Sequence, residues 1–265
     1  MSRDENNTLN IHHNRDKIAP ISLVNRALEE LTNRTCRGAK RQRKSKVELL
    51  CSSLLSQDEK SSLLIREMLE SGISINDIYE KYIPDAARLL GRDWVQNKLS
   101  FVNVTLATSR LQAVAREFER LYIGTINSGA YGPEILVISP RGEQHTFGAQ
   151  MISRKFSRLG ASAYLSINNS ASEIRKIITK HRFKLIGLSI SDYKLCNPKN
   201  ELKSTIDMIK KFKIPIVAGG SLIHSYEGVL ETLNLDLVTD DAIKALNYFN
   251  INLSNKNRLL DTITI

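Results

Sequence analysis

Residues 134–250 alternate short apolar runs with amphipathic segments of about the length of a helix. This alternation is typical of repeated βα units, which form a parallel sheet through right-handed crossover connections. The sequence therefore predicts an α/β domain with a five-stranded doubly wound parallel sheet, in which ligands bind at the carboxyl ends of the strands. The predicted strands are Ile135–Ser139, Ser162–Ile167, Leu185–Ile190, Ile214–Ala218 and Leu235–Thr239.

The segment that precedes this domain has a different periodicity. Its apolar residues recur mostly at three- and four-residue spacing, which predicts a bundle of consecutive helices. Ser74 and Ser100 are predicted N-caps, because a serine oxygen accepts from the free N–H groups of a first helical turn. Pro84 is predicted to kink or restart a helix. The predicted organisation is an N-terminal arm at 1–46, a helical domain at 47–126, the sheet domain at 134–250 and a tail at 251–265.

The N-terminal arm has few apolar anchors and a dense group of basic side chains. Residues 34–46, RTCRGAKRQRKSK, contain seven Lys and Arg residues and no acid. Such a density resists folding by itself, so we predict a disordered arm with one short helix in ISLVNRALEEL. The formal net charge of +10 favours an acidic partner. A solvated linker and a binding arm for DNA or an acidic protein both remain open at this stage.

The spacing of the cysteines and the hydropathy of the sequence indicate the cellular compartment of the protein. Cys36, Cys51 and Cys196 are widely spaced and do not form the clustered pattern of a zinc site or a disulfide framework. No apolar run approaches the ~18 residues that a membrane span needs, and residues 1–16 are too polar for a secretory signal peptide. These features predict a cytoplasmic protein with no membrane partner.

The segment GEQHTFG, residues 142–148, follows the first predicted strand, where the fold places ligands. Neutral imidazole is a common ligand of transition metals, and a nearby carboxylate can accept a hydrogen bond from the N–H of its other nitrogen. Glu143 is positioned to do this for His145. Gly148, at the helix start, lets a bulky ligand approach the backbone. A lone loop histidine is more often solvated, so the motif by itself leaves both interpretations open.

Small residues end two further predicted strands. LIGLSIS ends with Ser189 and Ser191, and IVAGGSL contains Gly219, Gly220 and Ser221. Such residues predict a channel that opens into the sheet edge, although a glycine pair is also common in ordinary turns.

With these residues the sequence resembles the cobalamin-binding domain family, whose signature is D-x-H-x-x-G, then S-x-L, then GG. The resemblance covers about 47–249, since LLGRDWVQNKLSFVNVTLATSRLQ is similar to the helical cap of corrinoid proteins. It implies a Rossmann-like domain in which His145 is the metal ligand on cobalt and the nucleotide tail of cobalamin enters the channel. The implied cofactor-binding residues are Glu143, His145, Thr146, Gly148, Ser189, Ser191, Gly219, Gly220, Ser221 and, against the corrin face, Trp94.

Three departures from the family pattern refine this resemblance. Glu143 stands where most members have Asp, and Ser191 replaces the usual Leu. Val104 and Thr105 follow Trp94 where the light-sensing repressors of the family have Glu and His, so an adenosyl upper ligand is less expected.

Together with the basic arm, these departures resemble the AerR/PpaA-type photosynthesis-gene antirepressors and the related sensor domain that contains haem instead of cobalamin. The resemblance implies a non-enzymatic, light- or redox-responsive regulator that acts on a transcription repressor of the PpsR/CrtJ type. It leaves open cobalamin or haem as cofactor, and DNA contact through Arg34–Lys46. A corrinoid methyl-carrier protein is the alternative function.

Overall fold

A computed structural model of the chain describes residues 40–56, 60–123, 132–196, 201–225 and 233–253. The chain divides into two compact units, Met1–Leu111 and Gln112–Ile265, and the division falls inside one helix. The short helix predicted at 21–31 and most of the predicted tail lie outside the described residues. None of the helices in the described ranges has the length and apolar content that crossing a membrane requires.

The first unit consists of helices, as the periodicity predicts. Ser74 Oγ accepts from the Asp77 N–H at 3.0 Å, and Ser100 Oγ accepts from the Asn103 N–H at 3.1 Å, so both predicted N-caps are confirmed. Pro84 is the second residue of the helix Ile83–Val95, directly after the π-helical turn Ile78–Tyr82, so the winding of the helix changes beside this proline. The elements are α1 at 40–55, α2 Lys60–Glu70, α3 Ile75–Asp77, a π-helix Ile78–Tyr82, α4 Ile83–Val95 and α5 Phe101–Glu117.

The basic arm ends earlier than the sequence predicts. Residues 40–46 form the first turns of α1, so the prediction of a disordered segment up to residue 46 is wrong for these residues. Val47, Leu50 and Leu54 bury one face of α1, and that anchored helix continues toward its N-terminus because Lys and Arg are good helix formers. Arg43 also pairs with Asp85 of α4, with 3.3 Å between Nε and Oδ2.

The second unit contains the sheet. Its five strands are parallel and lie in the order β2-β1-β3-β4-β5, which confirms the predicted doubly wound architecture. The predicted strand bounds agree with the structure to within two residues. The elements after α5 are α6 Glu119–Ile123, β1 Glu134–Ser139, α7 Phe147–Arg158, β2 Ser162–Ile167, α8 Ala171–Lys180, β3 Leu185–Ser189, a 3-10 turn Tyr193–Cys196, α9 Glu201–Lys210, β4 Ile216–Gly219, α10 Leu222–Ser225, β5 Leu237–Val238 and α11 Ala242–Tyr248.

Alternate residues of each strand face two separate layers of helices. Leu136 and Ile138 of β1 pack in a core with residues of α8 and α9. Ile135 and Val137 pack in a second core with Ala149 and Phe156 of α7 and with residues of α11. The strand order reverses between β1 and β3, so the fold creates a crevice at their carboxyl ends. The loop that carries the candidate site begins at this point.

Candidate functional site

The loop between β1 and α7 carries two candidate side chains, Glu143 and His145, which differ in their exposure to solvent. Gly142 has a φ of +87°, and its N–H donates to Asn168 Oδ1 at 3.3 Å, which ties the loop to the end of β2. The Glu143 N–H donates to the Pro140 carbonyl at 3.0 Å and closes a tight turn. This turn buries the Glu143 side chain completely, whereas the His145 side chain is 69% exposed.

The Glu143 carboxylate accepts hydrogen bonds from the loops that follow two strands, β1 and β3. Its Oε1 accepts from the His145 N–H at 2.8 Å and lies 3.1 Å from His145 Nδ1, so the predicted hydrogen bond is present. Its Oε2 accepts from the N–H groups of Ser191 and Asp192, which follow β3, at 2.7 and 3.2 Å. The carboxylate therefore joins the β1 and β3 loops across the point where the strand order reverses.

These contacts set the protonation of the pair. Burial alone would raise the pKa of Glu143, but the hydrogen bonds from His145, Ser191 and Asp192 hold that pKa below its ordinary value. The hydrogen bond to Glu143 raises the pKa of His145, although burial opposes the shift. An ionised Glu143 places a proton on Nδ1, so the neutral imidazole presents Nε2 as its free acceptor. This is the usual arrangement of a metal-ligating histidine and its carboxylate partner.

The face of the sheet that α7 and α11 cover has open space above its central strand. Gly187 of β3 is half-buried between Val137 of β1 and Val217 of β4, both of which are buried. A β-carbon added at Gly187 would have no other residue's atom within 4 Å. The centre of the sheet is therefore left uncovered at the position where a core would normally have a side chain.

Small polar residues continue this open space to the carboxyl edge. Ser189 of β3 pairs with Gly219 of β4 and lies on the same face as Gly187. Ser139, at the end of β1, is fully buried, and its Oγ has no hydrogen-bond partner among the described residues. A β-carbon on Gly148 of α7 would lie 3.5 Å from Ser189 Oγ. We call Ser139, Gly148, Gly187, Ser189 and Gly219 the small-residue crevice; its unpaired hydroxyl suits a polar ligand.

The glycine pair after β4 has a structural role in addition to the predicted one. A β-carbon on Gly219 would lie 3.0 Å from the Thr239 carbonyl oxygen. Gly220 has a φ of +112°, and a β-carbon there would lie 2.3 Å from the Ile190 carbonyl oxygen. Packing of backbone against backbone already requires glycine at Gly220, so its predicted contact with a cofactor stays a prediction.

We expect Gly220→Ala to destabilise the folded protein by about 2–4 kcal/mol, because left-handed strain adds to a backbone clash. Urea unfolding measures this loss. Gly160→Ala is the matched control, since Gly160 has a φ of +99° but open space around its β-carbon position. Equal losses in the two variants would show that the contact with Ile190 has no energetic weight.

The structure places the remaining predicted residues as follows. Thr146 is the N-cap residue of α7, and its Oγ1 accepts from Gln150 Nε2 at 3.5 Å rather than from the helix backbone. Ser191 contributes its backbone N–H to Glu143, and Ser221 is exposed after the glycine pair. Trp94 lies near the end of α4 in the other unit, 43% exposed, with its ring 6.4 Å from that of Phe101. Its predicted contact with a corrin face stays a prediction.

Sequence reasoning missed Gly187 and Ser139. Gly187 had a visible signal, because a glycine inside the apolar strand LIGLS often marks a close approach of a ligand. Ser139 had none, since a serine that ends a strand is commonplace.

The sheet unit and its preceding helices have the fold of corrinoid proteins. The monomethylamine corrinoid protein of Methanosarcina barkeri superposes with a TM-score of 0.61 at 12% identity, over 77% of this chain and 97% of that chain. A cobalamin-binding protein of Desulfitobacterium hafniense DCB-2 superposes less well, with a TM-score of 0.40 at 14% identity, over 77% of this chain and 98% of that one.

A curated protein is similar to this chain in sequence. It is an uncharacterized 20.5 kDa protein in the bchF-crtJ intergenic region of Rhodobacter capsulatus, 26% identical over 189 residues. The alignment spans 71% of this chain and 98% of that protein. No protein-family model matches the chain.

Proposed function

We propose that this protein binds cobalamin through His145 and acts as a light- or redox-responsive transcription regulator, an antirepressor of a photosynthesis-gene repressor. The observation that carries the cofactor assignment is the exposed imidazole of His145. The buried Glu143 carboxylate binds its Nδ1, and its Nε2 remains available beside the small-residue crevice. Bound cobalamin would supply a cobalt centre that responds to light or to redox state. The crevice would receive its nucleotide tail, with Ser139 Oγ as a hydrogen-bonding group.

Residues of this chain link the site to a helix that precedes the sheet. Helix α7 begins two residues after His145, and its C-terminal half contacts α6. Arg154 of α7 pairs with Glu119 at 3.0 Å, and the Arg158 guanidinium lies 5.6 Å from the centre of the Tyr122 ring. A change in the position of the His145 loop would move α7 against these contacts. We propose that α6 receives the signal.

One observation favours a regulator. The curated relative from the bchF-crtJ region fits the predicted repressor of the PpsR/CrtJ type. Burial raises the pKa of the Cys51 thiol to about 12 and raises that of Cys196, so neither is a ready redox sensor. Cys36 lies outside the described residues, so a redox response would depend on the cofactor or on that cysteine. The methyl-carrier alternative draws its support from the fold shared with a corrinoid protein.

Reconstitution with hydroxocobalamin and with haemin, each in the dark and after illumination, tests the cofactor. We expect a stoichiometric complex with hydroxocobalamin whose absorption spectrum differs from that of the free cofactor. A complex with haemin alone would replace cobalamin by haem in this proposal. Absence of both complexes would reject a cofactor-dependent function.

We expect Glu143→Ala to weaken hydroxocobalamin binding by about 10–100-fold, the usual loss when the partner of a metal-ligating histidine is removed. The substitution frees the imidazole and also leaves the Ser191 and Asp192 N–H groups without their acceptor. Glu143→Gln retains part of these hydrogen bonds and should lose less affinity. Equal affinity in the wild type and both variants, measured by spectrophotometric titration, would remove Glu143 from the site.

The regulatory output can be tested with the basic residues of α1. We expect Lys40→Gln, Arg41→Gln and Lys44→Gln together to weaken association with a PpsR/CrtJ-type repressor and to flatten its salt dependence. Arg43 is kept because its ion pair with Asp85 joins α1 to α4, whereas the ion pair of Lys44 with Glu48 lies within α1. Pull-down assays with apo and loaded protein, in the dark and in light, measure the association. If the repressor binds in none of these states, the methyl carrier becomes the better account.

A further inference from the structure

The amino ends of the parallel strands lie on the opposite side of the sheet from the candidate cofactor site. This side, the amino edge, carries a group of exposed basic side chains. Helix α8 ends at Lys180 before β3 begins at Leu185, and α9 ends at Lys210 before β4 begins at Ile216. Because the strands are parallel, these two connections lie side by side at one edge. We define the basic edge as the exposed residues Lys180, Arg182, Lys184, Lys211 and Lys213.

None of the five side chains of the basic edge forms an ion pair within the described part of the chain. Asp207 of α9, four residues before Lys211, is an exposed carboxylate, whereas two others near the edge accept hydrogen bonds. Glu134 accepts from the Arg182 backbone N–H at 2.6 Å and from Tyr164 Oη at 3.3 Å, and it lies 3.1 Å from His181 Nδ1. Asp236 accepts from the Ile216 N–H at 2.8 Å. The positive charges of the edge therefore face solvent.

Helix dipoles explain only part of this arrangement. A basic residue in the last turn of a helix stabilises the partial negative charge there, and Lys180 has this position. Arg182, Lys184, Lys211 and Lys213 lie beyond the ends of α8 and α9, where that effect falls away. Lys184 immediately precedes β3 and Lys213 lies three residues before β4, and adjacent strands lie about 4.8 Å apart. The charges form a short row along the edge.

The edge lacks the apolar anchors of a protein interface. Buried aromatic and aliphatic side chains carry most of the energy in protein–protein interfaces, whereas phosphate binding depends on charge. No large hydrophobic side chain at 180–184 or 210–215 is exposed; Phe183 is buried and Phe212 is partly buried. A row of cations without an apolar centre fits a polyanion better than a folded protein surface.

We propose that the basic edge binds the phosphodiester backbone of a nucleic-acid duplex without sequence preference. This surface lies at the opposite edge of the sheet from His145 and does not depend on the cofactor, so it is tested with apo protein.

The test variant combines Lys184→Gln, Lys211→Gln and Lys213→Asn. Asparagine is chosen at position 213 because Lys213 has a φ of +57°, which asparagine tolerates. The matched control combines Arg175→Gln, Lys203→Gln and Lys244→Gln, which removes the same charge from exposed positions of the same unit. Fluorescence anisotropy with two unrelated DNA duplexes and one RNA duplex measures affinity over a range of salt concentrations. Circular dichroism and the urea midpoint confirm an intact fold in the apo protein.

We expect the edge variant to bind both DNA duplexes about 10-fold or more weakly than the wild type, with a salt slope smaller by about 2–3. The control variant should change the slope by less than about one. Stronger binding of the RNA duplex, with the same dependence on the edge, would support the proposal and identify RNA as the ligand. Equal losses in the two variants would overturn it, since net charge alone would explain them. Edge-dependent binding of poly-glutamate without duplex binding would also overturn it, in favour of an acidic protein.

Discussion

His145→Ala is expected to weaken hydroxocobalamin binding by more than about 100-fold, because the loss of a metal ligand should exceed the loss of its carboxylate partner. At 1.4 kcal/mol for each factor of ten, this is at least about 2.8 kcal/mol of binding free energy. The fold should not change, since the side chain is mostly exposed and contacts the protein mainly through Glu143. Spectrophotometric titration measures the affinity, and circular dichroism reports the fold.

His181→Ala is the matched control for this variant. His181 Nδ1 lies 3.1 Å from a glutamate oxygen, as His145 Nδ1 does, but its partner is Glu134 at the amino edge of the sheet. Its ring also packs against Tyr164, with 4.4 Å between the centroids. His181→Ala should therefore lower stability and leave cofactor affinity unchanged. Added imidazole should partly restore the bound spectrum of His145→Ala. Wild-type affinity in His145→Ala would remove His145 as the ligand.

Gly187→Val is expected to abolish cobalamin binding while leaving the protein as stable as the wild type or more stable. Valine would fill space that no other residue's atom occupies within 4 Å of its β-carbon. It would also replace a strand glycine, which is destabilising by roughly 0.5–1 kcal/mol relative to alanine. Substitutions that block a ligand site rarely also stabilise the folded protein. Titration with hydroxocobalamin and urea unfolding together measure the two effects.

Ligands without a nucleotide tail make this test specific. Cobinamide lacks the lower nucleotide, so Gly187→Val should bind it nearly as well as the wild type does. Haemin has no such tail and should also be unaffected. Gly91→Ala, in open space on α4, is a control for glycine replacement away from the sheet. Tight cobalamin binding by Gly187→Val would show that the tail does not enter the small-residue crevice.

Local patterns in the sequence determined much of this protein. Hydrophobic periodicity located all five strands within two residues, because burial on a strand or a helix repeats at a fixed spacing. Ser74 and Ser100 marked helix starts through chemistry that involves only neighbouring residues. The contact between Glu143 and His145 was predictable for the same reason, since the two residues are only two positions apart.

Tertiary structure decided what depends on residues distant in sequence. The second oxygen of Glu143 has its hydrogen bonds only because the fold brings the N–H groups of Ser191 and Asp192, 48 and 49 positions away, beside it. Gly187 became a candidate ligand position only when the structure left the space above it unfilled, and Gly220 gained a structural role only through the backbone of Ile190. The basic edge arises because parallel strands bring the ends of α8 and α9 together. Periodicity determines which side chains are buried, but the pairing of strands determines which of them meet.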